Sequence, residues 1–421
     1  MRIILWNFAV LKFLGMKKKT IVGFLAPVVL AASCEVAYNE ETLPVNGETV
    51  SVRLDEVAEI LSMLPIQTAH MEEVHDAVMS SSSNGYDEEY TMKQLFETPG
   101  AGVGDNEVRS GKSYEKPMWR LIEQQVRSMS QTKSLSMDPD RFLETLTLSD
   151  IQIYWPYSEQ WDGESYPVIT FDPEDGASAN TGYRLKVEND GSRHVEEVVV
   201  DEEMAKEGPV WVVNRNDDAG FTSLEMLRRE DPDWGEGGGA IIVNPDRNAA
   251  RSDGTKSGLR TLVLKDFTMN RNYDSWFAGA SEFFVKIGYM EDFTASTEAE
   301  LRIYNPMVTD FMIVVKRNQV GIPQNFNAIL ISDLSSDRSS TDGSYCAFMI
   351  TEDDGGTQTE WSTKAKVFVS GKSYGAEITI PLNVRDDIVW RGKLPYSWFE
   401  ECSGQSWPFG DVALTFDIIE H

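Results

Sequence analysis

The spacing of apolar residues changes twice along the chain, and those changes divide it. Leu54, Val57, Ala58 and Leu61 recur at helical spacing, and Leu64-Pro65 predicts the stop. A second helix is expected from Ile66 to Met79, before Ser80-Ser81-Ser82-Ser83-Asn84-Gly85, and a short third from Met92 to Phe96. Trp119, Ile122, Val126 and Met129 line one face of a further helix. Residues 51–147 therefore read as a small helical unit.

The period shortens at Asp150. Ile151, Ile153 and Trp155 alternate, which is a strand signal. More strands are expected at Val168–Phe171, Tyr183–Val187, Val195–Val200 and Val210–Val213, with turns at Asp172-Pro173-Glu174-Asp175-Gly176 and Asn189-Asp190-Gly191. This makes 148–229 a small, mostly antiparallel β domain. Residues 230–258 are rich in Gly and polar side chains and read as a linker. From 259 to 421, apolar runs such as Leu262–Phe267, Glu282–Ile287, Phe311–Val315, Ala347–Ile350 and Val412–Ile418 follow one another without helical periods between them. That pattern predicts an antiparallel β-sandwich. The expected fold class is α+β multidomain: an N-terminal helical unit, a small β unit and a C-terminal sandwich.

Two apolar runs open the chain, Ile3–Leu14 and Ile21–Ala32, each short of the ~20 residues of a membrane-spanning helix. From Met16 the order is three lysines, an apolar stretch, then Leu30-Ala31-Ala32-Ser33 before Cys34. That order predicts a signal peptide over 1–33, a true start at Met16 and lipid attachment at Cys34. Leu30 stands one place earlier than the usual aliphatic residue of such a site. Residues 34–50 then form a tether, and the expected location is the cell envelope, lipid-anchored to the outer membrane.

Composition narrows the field. With 421 residues, 41% of them hydrophobic, the chain can build full cores. Its net charge of −30 excludes a phosphate-backbone partner and favours cations, or solubility alone. Besides Cys34 the chain has Cys346 and Cys402, most simply two separate buried thiols, although an oxidising compartment leaves pairing open.

Several patterns bear on chemistry. The run 214–225 can be counted as a twelve-residue Ca²⁺ loop with oxygens from Asn214, Asn216 and Asp218 and a bidentate Glu225. Ala219 replaces the turn glycine, and a strand enters the loop, so a polar turn competes with that reading. A second set of carboxylates, Asp266, Asp274, Glu352, Asp353 and Asp354, falls in loops of the expected sandwich and would suit Ca²⁺ if they converge. Trp155, Tyr157 and Trp161 offer flat faces for a ligand platform, against the commoner fate of core packing. Gly371-Lys372-Ser373-Tyr374-Gly375 fits G-x-S-x-G, but strand-like flanks make it a hairpin turn. His70 and His75 stand five apart and match no zinc motif.

The lipoprotein start, the helical lead-in and the segments Ile151-Gln152-Ile153-Tyr154-Trp155-Pro156 and Pro209-Val210-Trp211-Val212-Val213-Asn214 carry a resemblance. So do Leu264-Lys265-Asp266-Phe267 and Ala280-Ser281-Glu282-Phe283-Phe284. Together these resemble uncharacterised lipoproteins of Bacteroidetes with a terminal β-sandwich, which implies an envelope address but no activity. The expected function is a cell-envelope lipoprotein that binds a protein, a glycan or an envelope component, with Ca²⁺ as its one candidate cofactor. The alternative is a secreted hydrolase of carboxylate or metal type. Asp386 and Asp387 serve that alternative poorly, because adjacent strand residues point to opposite faces.

Overall fold

The computed structural model of the chain describes residues 51–97, 117–131, 135, 137–187, 193–216, 221–230, 260–289, 307–332, 334, 344–354, 357–369 and 372–420, with the backbone of 44–45 and 48–49. The signal peptide, Cys34, Asp218 and nearly all of the 230–258 linker lie outside the described residues. A two-residue pair, β1 (Pro44–Val45) and β2 (Glu48–Thr49), precedes the first helix.

Helix α1 (Leu54–Ser62) buries Leu54, Val57, Ala58, Ile60 and Leu61, and carries Asp55 and Glu56 in its first turn, where the helix dipole favours acid. Helix α2 (Thr68–Ser83) outruns its expected end by four residues. Serine costs a helix only a few tenths of a kcal/mol, and Ser81 is fully buried, with its hydroxyl donating to Glu89 at 3.3 Å. Packing therefore overrides propensity. Thr91 caps α3 (Met92–Phe96) by accepting the Gln94 N–H. After α4 (Met118–Gln131) comes α5 (Pro139–Thr147), which Asp138 caps through the N–H groups of Asp140 and Arg141.

These helices lie on a six-stranded sheet. It comprises β3 (Glu89–Thr91), β4 (Ile151–Tyr154), β5 (Val168–Phe171), β6 (Ala179–Val187), β7 (Arg193–Asp201) and β8 (Val210–Arg215). Their order is β3-β4-β8-β5-β6-β7, antiparallel throughout except for the parallel pair β5/β8. The short helix α6 (Glu202–Glu207) links β7 to β8. Helices and sheet share one core, in which Leu61, Val78, Ile122 and Phe142 meet Ile151, Ile153, Trp155 and Trp211. Strand β3 comes from within the helical segment, so the boundary expected near residue 147 runs through this core.

The C-terminal part is an antiparallel sandwich, as its strand pattern implies. One sheet has the order β11-β10-β13-β16, from β10 (Ser281–Tyr289), β11 (Met307–Val315), β13 (Tyr345–Glu352) and β16 (Asp387–Pro395). The other has the order β12-β9-β18-β17, from β9 (Arg260–Met269), β12 (Gln324–Ile331), β17 (Ser406–Phe409) and β18 (Val412–Glu420). Phe267, Phe283, Phe348, Phe409 and Phe416 fill the space between them. Helix α8 (Tyr396–Cys402) carries the chain from β16 to β17 and adds Phe399 to that core. A long hairpin, β14 (Gln358–Val369) and β15 (Lys372–Asn383), covers the outer face of the first sheet with Ile378 and Ile380 on Ala347 and Met349. Cys346 and Cys402 are buried free thiols.

The two parts are packed together. Trp276 and Phe277, in the loop from β9 to β10, enter the sheet face that the helices leave open, against Tyr154, Val200, Val210 and Val212. That second cover explains why β8 is buried on both faces, a pattern its alternation alone does not announce. Helix α7 (Leu224–Glu230) begins beside β11, with a bridge between Ser223 and Met312.

Candidate functional site

The expected 214–225 site does not assemble among the described residues. Asn214 is fully buried on β8, and its Nδ2 donates to the main-chain oxygens of Phe277 (3.1 Å) and Ala278. Asn216 turns its Nδ2 to Glu89 and, at 2.8 Å, to Gln152. Glu225 sits on α7 in an ion pair with Arg228 at 2.7 Å. Each side chain is committed to a different neighbour, because β8 runs straight into the contact with the sandwich. Asp218 lies outside the described residues.

The aromatic platform is corrected too. Trp155 is 1% exposed and Tyr157 8%, so neither offers a face to a ligand. Trp155 stacks edge-on with Trp211 at 5.8 Å and with Trp161 at 5.6 Å. Trp161 is half-buried, and its indole N–H donates to the Ser165 carbonyl. Sheet alternation points Ile151, Ile153 and Trp155 toward the helices together, and this places the indole in the core.

The histidines and the G-x-S-x-G match stay apart from any shared site. His70 is buried and accepts the Gln67 N–H through Nδ1 (3.0 Å), whereas His75 Nε2 meets the Ser158 carbonyl (3.2 Å). Ser373 lies inside β15, opposite Phe368, in the hairpin that the flanks predict.

Three of the five sandwich carboxylates do converge. Asp274, Glu352 and Asp354 each bring an oxygen within 4.8 Å of the others. Two features of the fold produce this. Strand β13 pairs with β10 so that Glu352 lies opposite Phe283, with Asp353 and Asp354 immediately beyond. The loop from β9 to β10 folds back, its Tyr273 N–H donating to Ser281 Oγ at 3.1 Å, and sets Asp274 beside them. Asp266 goes elsewhere and accepts from Asn325 at 3.0 Å. Asp353 accepts from Asn383 Nδ2 at 3.1 Å. Asp386 accepts the Asn383 N–H at 2.9 Å, and burial pushes its carboxyl up to about 6, with a hydrogen bond to Asp353 and the Asp353 charge adding to the rise. The partner of Asp386 is thus Asp353 rather than Asp387.

The electrostatics of this cluster match its crowding. Burial pushes the Asp274 carboxyl up, opposed by a hydrogen bond with Glu352 and by the charge of Arg317. Loss of water pushes Asp354 up to about 6, and the charges of Asp274, Asp387 and Asp353 add to the rise. Asp354 is the exposed member, so the repulsion from its neighbours is the part a bound cation would relieve. Three carboxylates this close need protons or a cation to coexist. Two oxygens each ~2.4 Å from one Ca²⁺ are at most ~4.8 Å apart, so this donor set fits a single ion. Asp274 Oδ2 is buried and accepts no hydrogen bond, which leaves a lone pair available to it. What the spacing cannot reveal is the approach of Asp274 to Glu352, two residues far apart in the chain that a folded-back loop brings together.

The described helices include none long and apolar enough to cross a membrane. Compared with known proteins, the chain matches no family model, no curated protein and no solved structure.

Proposed function

We propose that this chain is a lipid-anchored cell-envelope protein with a binding or structural role, in which Ca²⁺ at Asp274, Glu352 and Asp354 holds one end of the sandwich. The observation that carries the reading is the convergence of these carboxylates, one of them with a buried oxygen that accepts no hydrogen bond. The address rests on the basic, apolar and small-residue order before Cys34, and the resemblance to Bacteroidetes lipoproteins supports it. A protein or glycan is the partner class this reading implies.

Ca²⁺ supplies charge to this cluster, and the chain's residues supply hard oxygens and hold them in place. With few ligands and one exposed member, affinity belongs in the extracellular-module range of ~10⁻⁴ to 10⁻³ M. At ~10 mM Ca²⁺ this stabilises the fold by roughly 1.4 to 2.7 kcal/mol through mass action. The test is the melting temperature with and without Ca²⁺, at ionic strength matched with NaCl. The wild type should gain stability and Asp274→Asn should not. Equal gains in both would remove the site. Labelled fatty acid should attach to the wild type and not to Cys34→Ser, and labelling of both would remove the anchor.

A further inference from the structure

The surface where the sheet half meets the sandwich is acidic as well as aromatic. Asp87, Glu88 and Glu89 are 4%, 3% and 1% exposed, an unusual depth for three consecutive acids. Asp87 accepts the N–H groups of Ala280 (3.0 Å) and Glu88 (2.6 Å). Gly279 makes that approach feasible: its φ is +148°, and a Cβ there would come 2.8 Å from the Asp87 carboxylate. Glu88 accepts from Ser158 Oγ at 2.9 Å and faces Lys316 Nζ at 3.4 Å.

Among the described residues, few cations reach this seam. Arg317, next to Lys316, is committed to Glu202 on α6 at 2.9 Å and to the Asp274 carbonyl at 3.1 Å. Glu202 also accepts from Tyr157 Oη. From the single turn Ser158–Gln160, Glu159 adds a further negative charge and accepts from Asn318 at 2.6 Å. Glu89 takes the amide of Asn216, and the buried Tyr154 hydroxyl lies within the field of Asp87 and Glu88. On the α2 side, His75 approaches through the Ser158 carbonyl. Among the described residues, Lys316 is thus the cation whose charge bears on both Asp87 and Glu88.

We infer that this seam is a pH-responsive joint, in which neutral Glu88 lets the sandwich close on the sheet half and ionised Glu88 loosens it. Burial holds the Glu88 carboxyl up at about 7; Lys316 pulls it down, and Asp87 and Glu159 push it further up. A carboxyl raised in the folded state contributes stability that is fully present below its ordinary value near 4.5. That stability is lost as pH rises through about 7. The joint should therefore be tight in mildly acidic conditions and looser above neutrality.

Hydrogen exchange on the full chain reads this directly, corrected for the intrinsic pH dependence of exchange. Between about pH 5.5 and about pH 8, the amide of Ala280, which donates to Asp87 across the seam, should lose roughly tenfold or more in protection, and that of Trp155, which donates to the Glu88 carbonyl at 2.9 Å, should follow it. Amides in the β10/β13 ladder should change much less. Glu88→Gln, neutral at every pH, should remove the part of the loss centred near pH 7 and leave the smaller part due to Asp87, whose carboxyl burial pushes up to about 6. Lys316→Met should move its midpoint to higher pH, because the charge that favours ionised Glu88 is gone. Seam amides that keep their protection at high pH, or a Glu88→Gln chain that loses it as the wild type does, would overturn the inference. If Lys316→Met fails to fold, the Glu88→Gln comparison alone decides.

Discussion

Two acidic regions of this protein meet the loop from β9 to β10, one at Asp274 and the other at Gly279 and Ala280, and they are solved differently. At the seam, Asp87 and Glu88 have backbone N–H groups, a serine hydroxyl and Lys316 as partners. At the sandwich end, Asp274, Glu352 and Asp354 crowd one another, and Arg317, whose charge reaches Asp274, makes its hydrogen bonds to Glu202 and to the Asp274 carbonyl. A buried acid that the fold supplies with donors is part of the joint. Acids that converge with an oxygen left over fit an outside cation. The difference lies in what surrounds each carboxylate, and the count of acids alone does not reveal it.

The largest expected effect tests the seam as a packing surface. Trp276→Ala removes an indole buried in the sheet's second face, with its N–H donating to the Ser178 carbonyl at 3.0 Å. The cost should be about 3 to 5 kcal/mol in denaturant unfolding. A loss under ~1 kcal/mol would mean that the sheet half does not depend on the sandwich for its cover. The smallest effect sharpens the other side. Glu225→Gln breaks only an i,i+3 pair on a partly exposed helix, so stability should change by less than ~0.5 kcal/mol and any Ca²⁺ response should persist. Loss of the Ca²⁺ response in that variant would return the metal to the 214–225 segment.

Much of this architecture is written locally. The α3 span, Met92–Phe96, follows from its apolar spacing, and the strands at 151 and 168 follow from alternation. What escapes sequence reading is non-local. Strand β3 has three residues, too few for a period, and exists because β4 pairs with it. The parallel pair β5/β8 joins segments separated by a hairpin and α6, and no turn signal specifies it. Strand β10 is buried at all nine positions, because the sandwich core covers one face and the other is covered in its turn. Helix α5 goes unmarked by the apolar spacing, although Asp138-Pro139, a cap followed by proline at the first helical position, carries its start signal. Of the site, the acidic character of Glu352-Asp353-Asp354 is plain in the chain. The arrival of Asp274 is a consequence of the folded-back loop, and the burial of Asp87-Glu88-Glu89 of the sandwich docking on them.

The relation between metal and pH also separates the two regions. Without Ca²⁺, raising pH from about 4 to 7 ionises Asp354, whose carboxyl is raised to about 6, and removes stability from the sandwich end. With Ca²⁺ the ionised carboxylates become ligands, so the same rise should tighten binding. The most direct measurement is therefore calorimetric titration of Ca²⁺ into the full chain at about pH 5 and about pH 7.5. The account predicts one site per chain, a Kd of ~10⁻⁴ to 10⁻³ M at the higher pH, weaker binding at the lower, and none in Asp274→Asn. Binding that ignores pH, or that survives Asp274→Asn unchanged, would contradict it.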